Sequence, residues 1–249
     1  MIRIANLRKR FGKQLVLDGV DLCIEEGKTT AIVGPSGTGK SVLIKIITGL
    51  LKADSGEVQI GDDLITPTTS DRELRRICAR MGILFQAAAL FDSMTLFDNV
   101  AFPLRHRLKM ARKELVSRTL QRLEEVGLRG YEKRLPGEVS IGMRKRVGIA
   151  RALVTNPEIL LFDEPNTGLD PEVGQEIYEL IVETQKISAF TGIVISHEIP
   201  EVFHVCHRVA MLYNGTVQLD GTIDEFLSSE QPVVRQFIQG SVEGPIQMS

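Results

Sequence analysis

The chain has 249 residues, 30 Lys+Arg against 32 Asp+Glu, a formal net charge of −2 and 43% hydrophobic residues. That size and composition give one or two domains with a substantial core and exclude a disordered or collagen-like chain. The near-balanced charge excludes a nucleic-acid binder that works by basic surplus, and no nucleic-acid partner is expected. Cys23, Cys78 and Cys206 show no C-x-x-C spacing. Their odd number argues against a disulfide framework and for a reducing compartment. The N-terminus MIRIANLRKRFGKQ lacks the apolar stretch of a signal peptide, and the longest apolar run, Val42 to Leu51, is interrupted by Lys45 and Thr48. It is far shorter than a membrane span, so a cytosolic chain that does not itself cross a membrane is expected.

Residues 1–33 hold β-rich runs, IRIANL, QLVLDGVDLCI and TTAIV, parted by Phe11-Gly12-Lys13 and Glu25-Glu26-Gly27-Lys28. A glycine-rich turn from Gly34 leads into SVLIKIITGLL, where Leu43, Ile44, Ile46 and Ile47 suit a buried helix closing near Gly49. Residues 87–156 read as a helical insertion. In its segment 108–128, Leu108, Ala111, Leu115, Leu120, Leu123 and Val126 recur near helical spacing, with Arg and Lys on the other face and Gly127 as a stop. From Ile159 the strands ILLF, GIVIS, RVAMLY and TVQLD return, with the helical run EVGQEIYELIVETQK between the first two. Strands alternating with helices predict a parallel α/β sheet. Residues 228–249 read as a C-terminal extension.

Gly34-Pro35-Ser36-Gly37-Thr38-Gly39-Lys40-Ser41 fits the phosphate-loop pattern G-x-x-x-x-G-K-S/T and lies between a predicted strand and a predicted helix. Small residues let backbone N–H groups close around phosphates, and the helix start adds a favourable dipole. Lys40 then reaches the β- and γ-phosphates of ATP, and the Ser41 hydroxyl ligates Mg²⁺. The apolar run Ile159 to Phe162 ends in Asp163-Glu164, two carboxylates at the carboxyl end of a buried strand, where ligands of α/β proteins bind. Asp163 is expected to hold Mg²⁺, and Glu164, pointing the other way, to orient or deprotonate the attacking water. Alone, Asp-Glu after a strand is most often a solvated turn; the phosphate loop reverses those odds.

On these residues the chain resembles the ATPase subunits of ABC transporters, and the match runs across nearly its whole length in the family's order. The loop Gly34 to Ser41 corresponds to the Walker A motif and Ile159 to Glu164 to Walker B. Phe11 stands where the family sets an aromatic against adenine. Gln86 in GILFQ matches the Q-loop, Val139-Ser140-Ile141-Gly142-Met143 the signature, Gly168-Leu169-Asp170 the D-loop, and His197 the switch histidine. The resemblance implies a P-loop NTPase of the ABC ATPase fold: a single domain over 1–249, with a RecA-like parallel-sheet core, an antiparallel β subdomain and an inserted helical subdomain. It implies Gln86 near Mg²⁺ or the attacking water, His197 at the γ-phosphate, and Ser140 and Gly142 facing ATP across a head-to-tail dimer. Ser140 is a natural N-cap for that helix. Arg144, Lys145 and Arg146 read as solvated or interfacial. The sequence departs from the family's usual L-S-G-G by placing Ile141 where the first glycine stands, which puts full turnover in doubt.

Two stretches, residues 81–105 and 234–246, are similar to the ATPases of Mla-type phospholipid transport systems, which include toluene-tolerance proteins and organelle lipid importers. That likeness implies ATP-driven lipid transport through a separate integral-membrane permease, with accessory lipid-transport subunits, at the cytoplasmic face of the inner membrane. It sets Phe91, Met94, Leu96 and Phe97 partly exposed beside the groove that takes the permease's coupling helix, and extends the tail to the neighbouring ATPase. Competing readings are a nucleotide-binding assembly module with weak turnover, an ABC transporter ATPase for another substrate, and a soluble ABC protein of translation or repair. The last needs a second ATPase domain or a long coiled coil, and neither is expected within these 249 residues.

Overall fold

The computed structural model describes residues 1–107 and 110–247, so Leu108 of the predicted helical pattern lies outside the described residues. The chain forms two compact units, Met1–Cys78 with Thr191–Ser249, and Ala79–Phe190.

In the first unit β1 (Ile2–Phe11) pairs antiparallel with β2 (Gln14–Ile24) and with β4 (Ser55–Ile60), which turns into β5 (Asp63–Ile65). Ile2 and Ile4 face inward on even positions, and a register shift after Ile4 moves the buried position to Leu7. The bulge therefore keeps one apolar face across a parity change. The second sheet region of this unit is built on β3 (Thr29–Val33), buried at every position as a strand covered on both faces must be. It lies parallel to β8 (Thr191–Ile195) and β9 (Arg208–Tyr213), with β10 (Thr216–Thr222) antiparallel at β9. Helix α1 (Lys40–Ile47) follows β3 and buries Leu43, Ile44, Ile46 and Ile47, as the sequence predicts, with Gly49 past its end at φ 68°. The sequence pattern predicts no element over residues 52–80. The structure has β4, β5 and α2 (Asp71–Cys78) there, because Val58 and Ile60 alternate into a sheet closed by the distant strand β1.

In the second unit β6 (Met81–Leu84) runs parallel to β7 (Ile159–Asp163), in register from Met81 with Ile159 to Leu84 with Phe162. The helices α3 (Leu96–Arg107), α4 (Arg112–Glu125) and α6 (Pro171–Ser188) all contact α5 (Ile141–Leu153), which packs on β6. Thr95 caps α3: its Oγ1 accepts from the Asp98 N–H at 3.1 Å and donates to the Asp98 carboxylate at 2.7 Å. Leu96, expected at a partly exposed groove, is fully buried, and its N–H donates to the Arg134 carbonyl at 2.8 Å. An apolar run cannot show which of its members face inward until the helix start is fixed. Thr95 fixes it here and turns Leu96 into the core while Phe91 stays exposed.

The tail carries elements of its own. After α7 (Ile223–Leu227), α8 (Pro232–Gln239) buries Val234 and Gln236, and the described chain beyond it folds back on its own unit. The buried Gln236 amide pairs with the backbone of Ile246, Oε1 accepting its N–H at 2.6 Å and Nε2 donating to its carbonyl at 3.1 Å. Tyr213 adds a bond from its hydroxyl to the Pro245 carbonyl at 2.8 Å. A glutamine here does the work of a strand partner, which polar composition does not reveal. Among the described residues no helix is long and apolar enough to cross a membrane.

Candidate functional site

The predicted residues divide between the units: Phe11, Gly34 to Ser41 and His197 in the first; Gln86, Ser140, Gly142, Asp163 and Glu164 in the second. In the first unit the loop between β3 and α1 is shaped by Gly34, at φ +143°, where an added Cβ would sit 2.2 Å from the Leu212 carbonyl oxygen. No other residue fits that approach. Thr38 Oγ1 donates to the Pro35 carbonyl at 3.0 Å, and the Lys40 ammonium, almost fully buried, donates to the carbonyls of Gly34 at 2.7 Å and Pro35 at 2.8 Å. The cation therefore lies inside the curve of Pro35, Ser36, Gly37, Thr38 and Gly39, where an anion would enter. Ser41 is the second residue of α1 and is exposed. Phe11 ends β1 and is 47% exposed, and Lys9 Nζ stands 5.5 Å from its ring centroid. His197, just after β8, is held at the tip of a turn in which Ser196 Oγ accepts the Glu198 N–H at 3.0 Å. Its Nε2 is 3.9 Å from the Glu198 carboxylate.

In the second unit the carboxyl ends of β6 and β7 bring Gln86 and Glu164 together. Gln86 Nε2 donates to Glu164 Oε2 at 2.9 Å, and Thr167 Oγ1 donates to the same oxygen at 3.1 Å. Glu164 has φ 50°, a left-handed conformation uncommon outside glycine, and it follows Asp163, the last residue of β7. Strain of this kind concentrates at functional positions. Asn166 is buried and accepts the Tyr178 hydroxyl at 3.0 Å, so its side chain secures the turn towards α6.

The signature region behaves as the sequence predicts at its cap: Ser140 Oγ accepts the Met143 N–H at 3.2 Å and opens α5. Gly142 is packed so closely that an added Cβ would lie 2.7 Å from Val173 Cγ1, whereas Ile141 beside it is 48% exposed. The glycine is thus needed for packing within the unit, and the isoleucine side chain faces away from it.

The sequence predicts Lys145 among solvated or interfacial charges; the structure buries it, at 2% exposure. Its ammonium donates to the Gln86 carbonyl and, at 3.1 Å, to the Glu164 carbonyl. Burial pushes its pKa down to about 8, against the opposing pull of the Glu164 and Asp163 carboxylates. The helical period could have found it, since Gly142, Lys145, Ile149 and Ala152 form one buried stripe of α5. Thr167 was missed too, and only its spacing of three from Glu164 across a turn hints at the contact. Arg151, further along α5, donates to the carbonyls of Ala88 at 2.6 Å and Ala89 at 2.7 Å, two residues held at φ 59° and 46° directly after the Gln86 segment.

A phosphate loop after a buried strand, with a strand-end carboxylate met by a glutamine amide, defines a P-loop nucleotide hydrolase. The family model for the ABC transporter matches residues 17–167. The chain is 42% identical over 249 residues to a probable ribonucleotide transport ATP-binding protein (mkl) of Mycobacterium leprae, covering all of this chain and 71% of that one. It is 38% identical over 247 residues to the intermembrane phospholipid transport ATP-binding protein MlaF of Haemophilus influenzae, covering 99% and 93%. Among solved structures, a dimeric ATP-binding cassette in a post-hydrolysis state with ADP and phosphate superposes with a TM-score of 0.80 at 33% identity, over 90% of this chain and 99% of that one. The chain belongs to the ABC transporter family, and it is an ATPase with that family's cassette fold.

Proposed function

We propose that the chain is the ATP-hydrolysing subunit of a transporter that moves phospholipid through a separate membrane permease, at the cytoplasmic face of the inner membrane. The observation that carries the hydrolytic half is the Gln86–Glu164 contact at the strand ends, which sets a general base beside an amide able to orient water. The cargo half is supported by near full-length similarity to the phospholipid transport protein. In this reading Lys40 and the 34–41 loop hold the ATP phosphates, Phe11 stacks on adenine and His197 meets the γ-phosphate. Ser41, Asp163 and Gln86 offer hydroxyl, carboxylate and amide oxygens, the hard donors that Mg²⁺ takes, and Mg²⁺ would neutralise charge on the phosphates. Two copies close head to tail on ATP, each presenting Ser140 and Gly142 to the other's nucleotide, and residues 87–156 act as the helical subdomain that meets the permease. Capture of the chain from detergent-solubilised native membranes, with identification of the co-purifying chains, tests this. A multi-spanning permease is expected; recovery of the chain alone or with ribosomes or DNA would contradict it. A second reading, nucleotide transport, is favoured by the name of the mycobacterial relative.

Exposed Phe91, packed at a tilt against Phe102 at 4.7 Å between ring centroids with His106 a further 4.2 Å along, is the apolar surface assigned to the permease. Phe91→Asp is expected to lower permease recovery about tenfold or more with ATP affinity intact. Leu96→Ala, by contrast, should cost about 2–5 kcal/mol of stability in chemical unfolding, as a core truncation does. Equal unfolding midpoints for Leu96→Ala and wild type would contradict the packing described for α3.

In this reading the branched Ile141 side chain lies in the dimer seam and holds the donors at the start of α5 away from the charge developing on the partner's nucleotide. Ile141→Gly is expected to raise turnover about ten- to a hundredfold, equivalent to about 1.4–2.7 kcal/mol of transition-state stabilisation, at unchanged ATP affinity. Steady-state rates decide it: an unchanged or lower rate would make Ile141 a native part of the seam.

A further inference from the structure

Helix α5 carries a lysine whose surroundings are unusual for a structural residue. Lys145 is withdrawn from solvent, and a buried ammonium is costly unless its donors are met. A methionine would fill the same volume without that cost. What meets the donors here is specific: the main-chain carbonyls of Gln86 and Glu164, residues 78 positions apart whose side chains bond each other at 2.9 Å. Side-chain contact and backbone tether therefore join the same two residues. Glu164 needs such a tether because its left-handed backbone would relax without one. From the same helix, Arg151 grips the left-handed Ala88 and Ala89 carbonyls of the segment that follows Gln86.

We infer that Lys145 is a positioning residue for ATP hydrolysis: its ammonium holds the Gln86 and Glu164 backbones in register on α5, so that the amide and the carboxylate meet in the geometry that orients the attacking water. Lys145 touches neither nucleotide nor water itself. Its removal loosens the reacting geometry, which lowers kcat, and leaves the groups that bind ATP in place, which spares affinity. The inference rests on the assignment of Gln86 and Glu164 to the hydrolytic step.

The test measures ATP affinity and kcat for the full chain as wild type, Lys145→Met, Lys145→Gln and Glu164→Gln, each checked for folding by circular dichroism. Lys145→Met keeps the stem and removes the donors; kcat is expected to fall tenfold or more with Kd for ATP within threefold of wild type. Lys145→Gln, whose shorter amide reaches one carbonyl, is expected to recover part of the loss and lie between the two. Wild-type kcat in either variant, a parallel loss of affinity, or equal loss in both variants would overturn the inference. Should Lys145→Met not fold, folded Lys145→Gln decides alone, with reduced kcat at retained affinity expected and wild-type kcat overturning. Glu164→Gln separates the two ideas. Normal turnover there removes the assignment of the base, whereas a dead Glu164→Gln beside a normal Lys145→Met removes only the role of Lys145.

Discussion

Glu164→Gln is expected to bind ATP as wild type does and to hydrolyse it about a hundred- to ten-thousandfold more slowly, the range over which a positioned general base contributes. The substitution is nearly isosteric. An amide oxygen at the same place can still accept from Gln86 Nε2 or Thr167 Oγ1, so the strand end and the turn keep their structure. What is lost is the negative charge and the basic oxygen, hence the pull on the proton of the attacking water. With ATP bound and not cleaved, the closed pair of cassettes should accumulate, visible as an ATP-dependent dimer in size-exclusion chromatography. A Glu164→Gln protein that turns over normally, or stays monomeric with saturating ATP, would place the base elsewhere.

Lys40→Ala is expected to act on the earlier step, weakening ATP binding about ten- to a hundredfold and leaving no measurable hydrolysis. A charge-assisted contact contributes about 1.5–3 kcal/mol, which sets that range. The structure adds a second reason for a large effect. The Lys40 ammonium satisfies the Gly34 and Pro35 carbonyls, so its removal also loosens the loop that must close around the phosphates. Isothermal titration with ATP checks the prediction, and equal affinity in wild type and Lys40→Ala would contradict it. Taken with Glu164→Gln, the pair separates binding from chemistry: one variant fails to load and the other fails to fire.

What the sequence shows of this site follows from how local each signal is. Gly34 to Ser41 is legible because loop, strand and helix are contiguous and each constrains the next, down to a glycine that the Leu212 carbonyl makes obligatory. Asp163 and Glu164 are legible because an apolar strand ends at them. Their meeting with Gln86 is not, since it depends on the register of β6 with β7 across 78 positions. The hairpin of β4 and β5 is hidden for the same reason, as β1 pairs with it across long separations, from Arg8 with Ser55 to Ile2 with Ile60. Lys145 is hidden differently. Its place on the buried stripe of α5 was readable, but charge outweighs periodicity in any reading that expects lysine in solvent. Composition likewise misjudges the tail, where Gln236 is buried because its amide imitates a backbone. Family resemblance supplies Phe11, His197 and the signature, whose residue types alone carry little.

Reconstitution shows whether ATP hydrolysis by this chain drives lipid through a separate permease. The chain and the permease that co-purifies with it would be placed in vesicles of labelled phospholipid, and transfer to acceptor vesicles followed with and without ATP. Transfer is expected to need ATP, to disappear with Glu164→Gln, and to be unaffected by added ribonucleotides other than ATP. ATP-driven accumulation of a ribonucleotide, with phospholipid left in place while ATP is consumed, would contradict it.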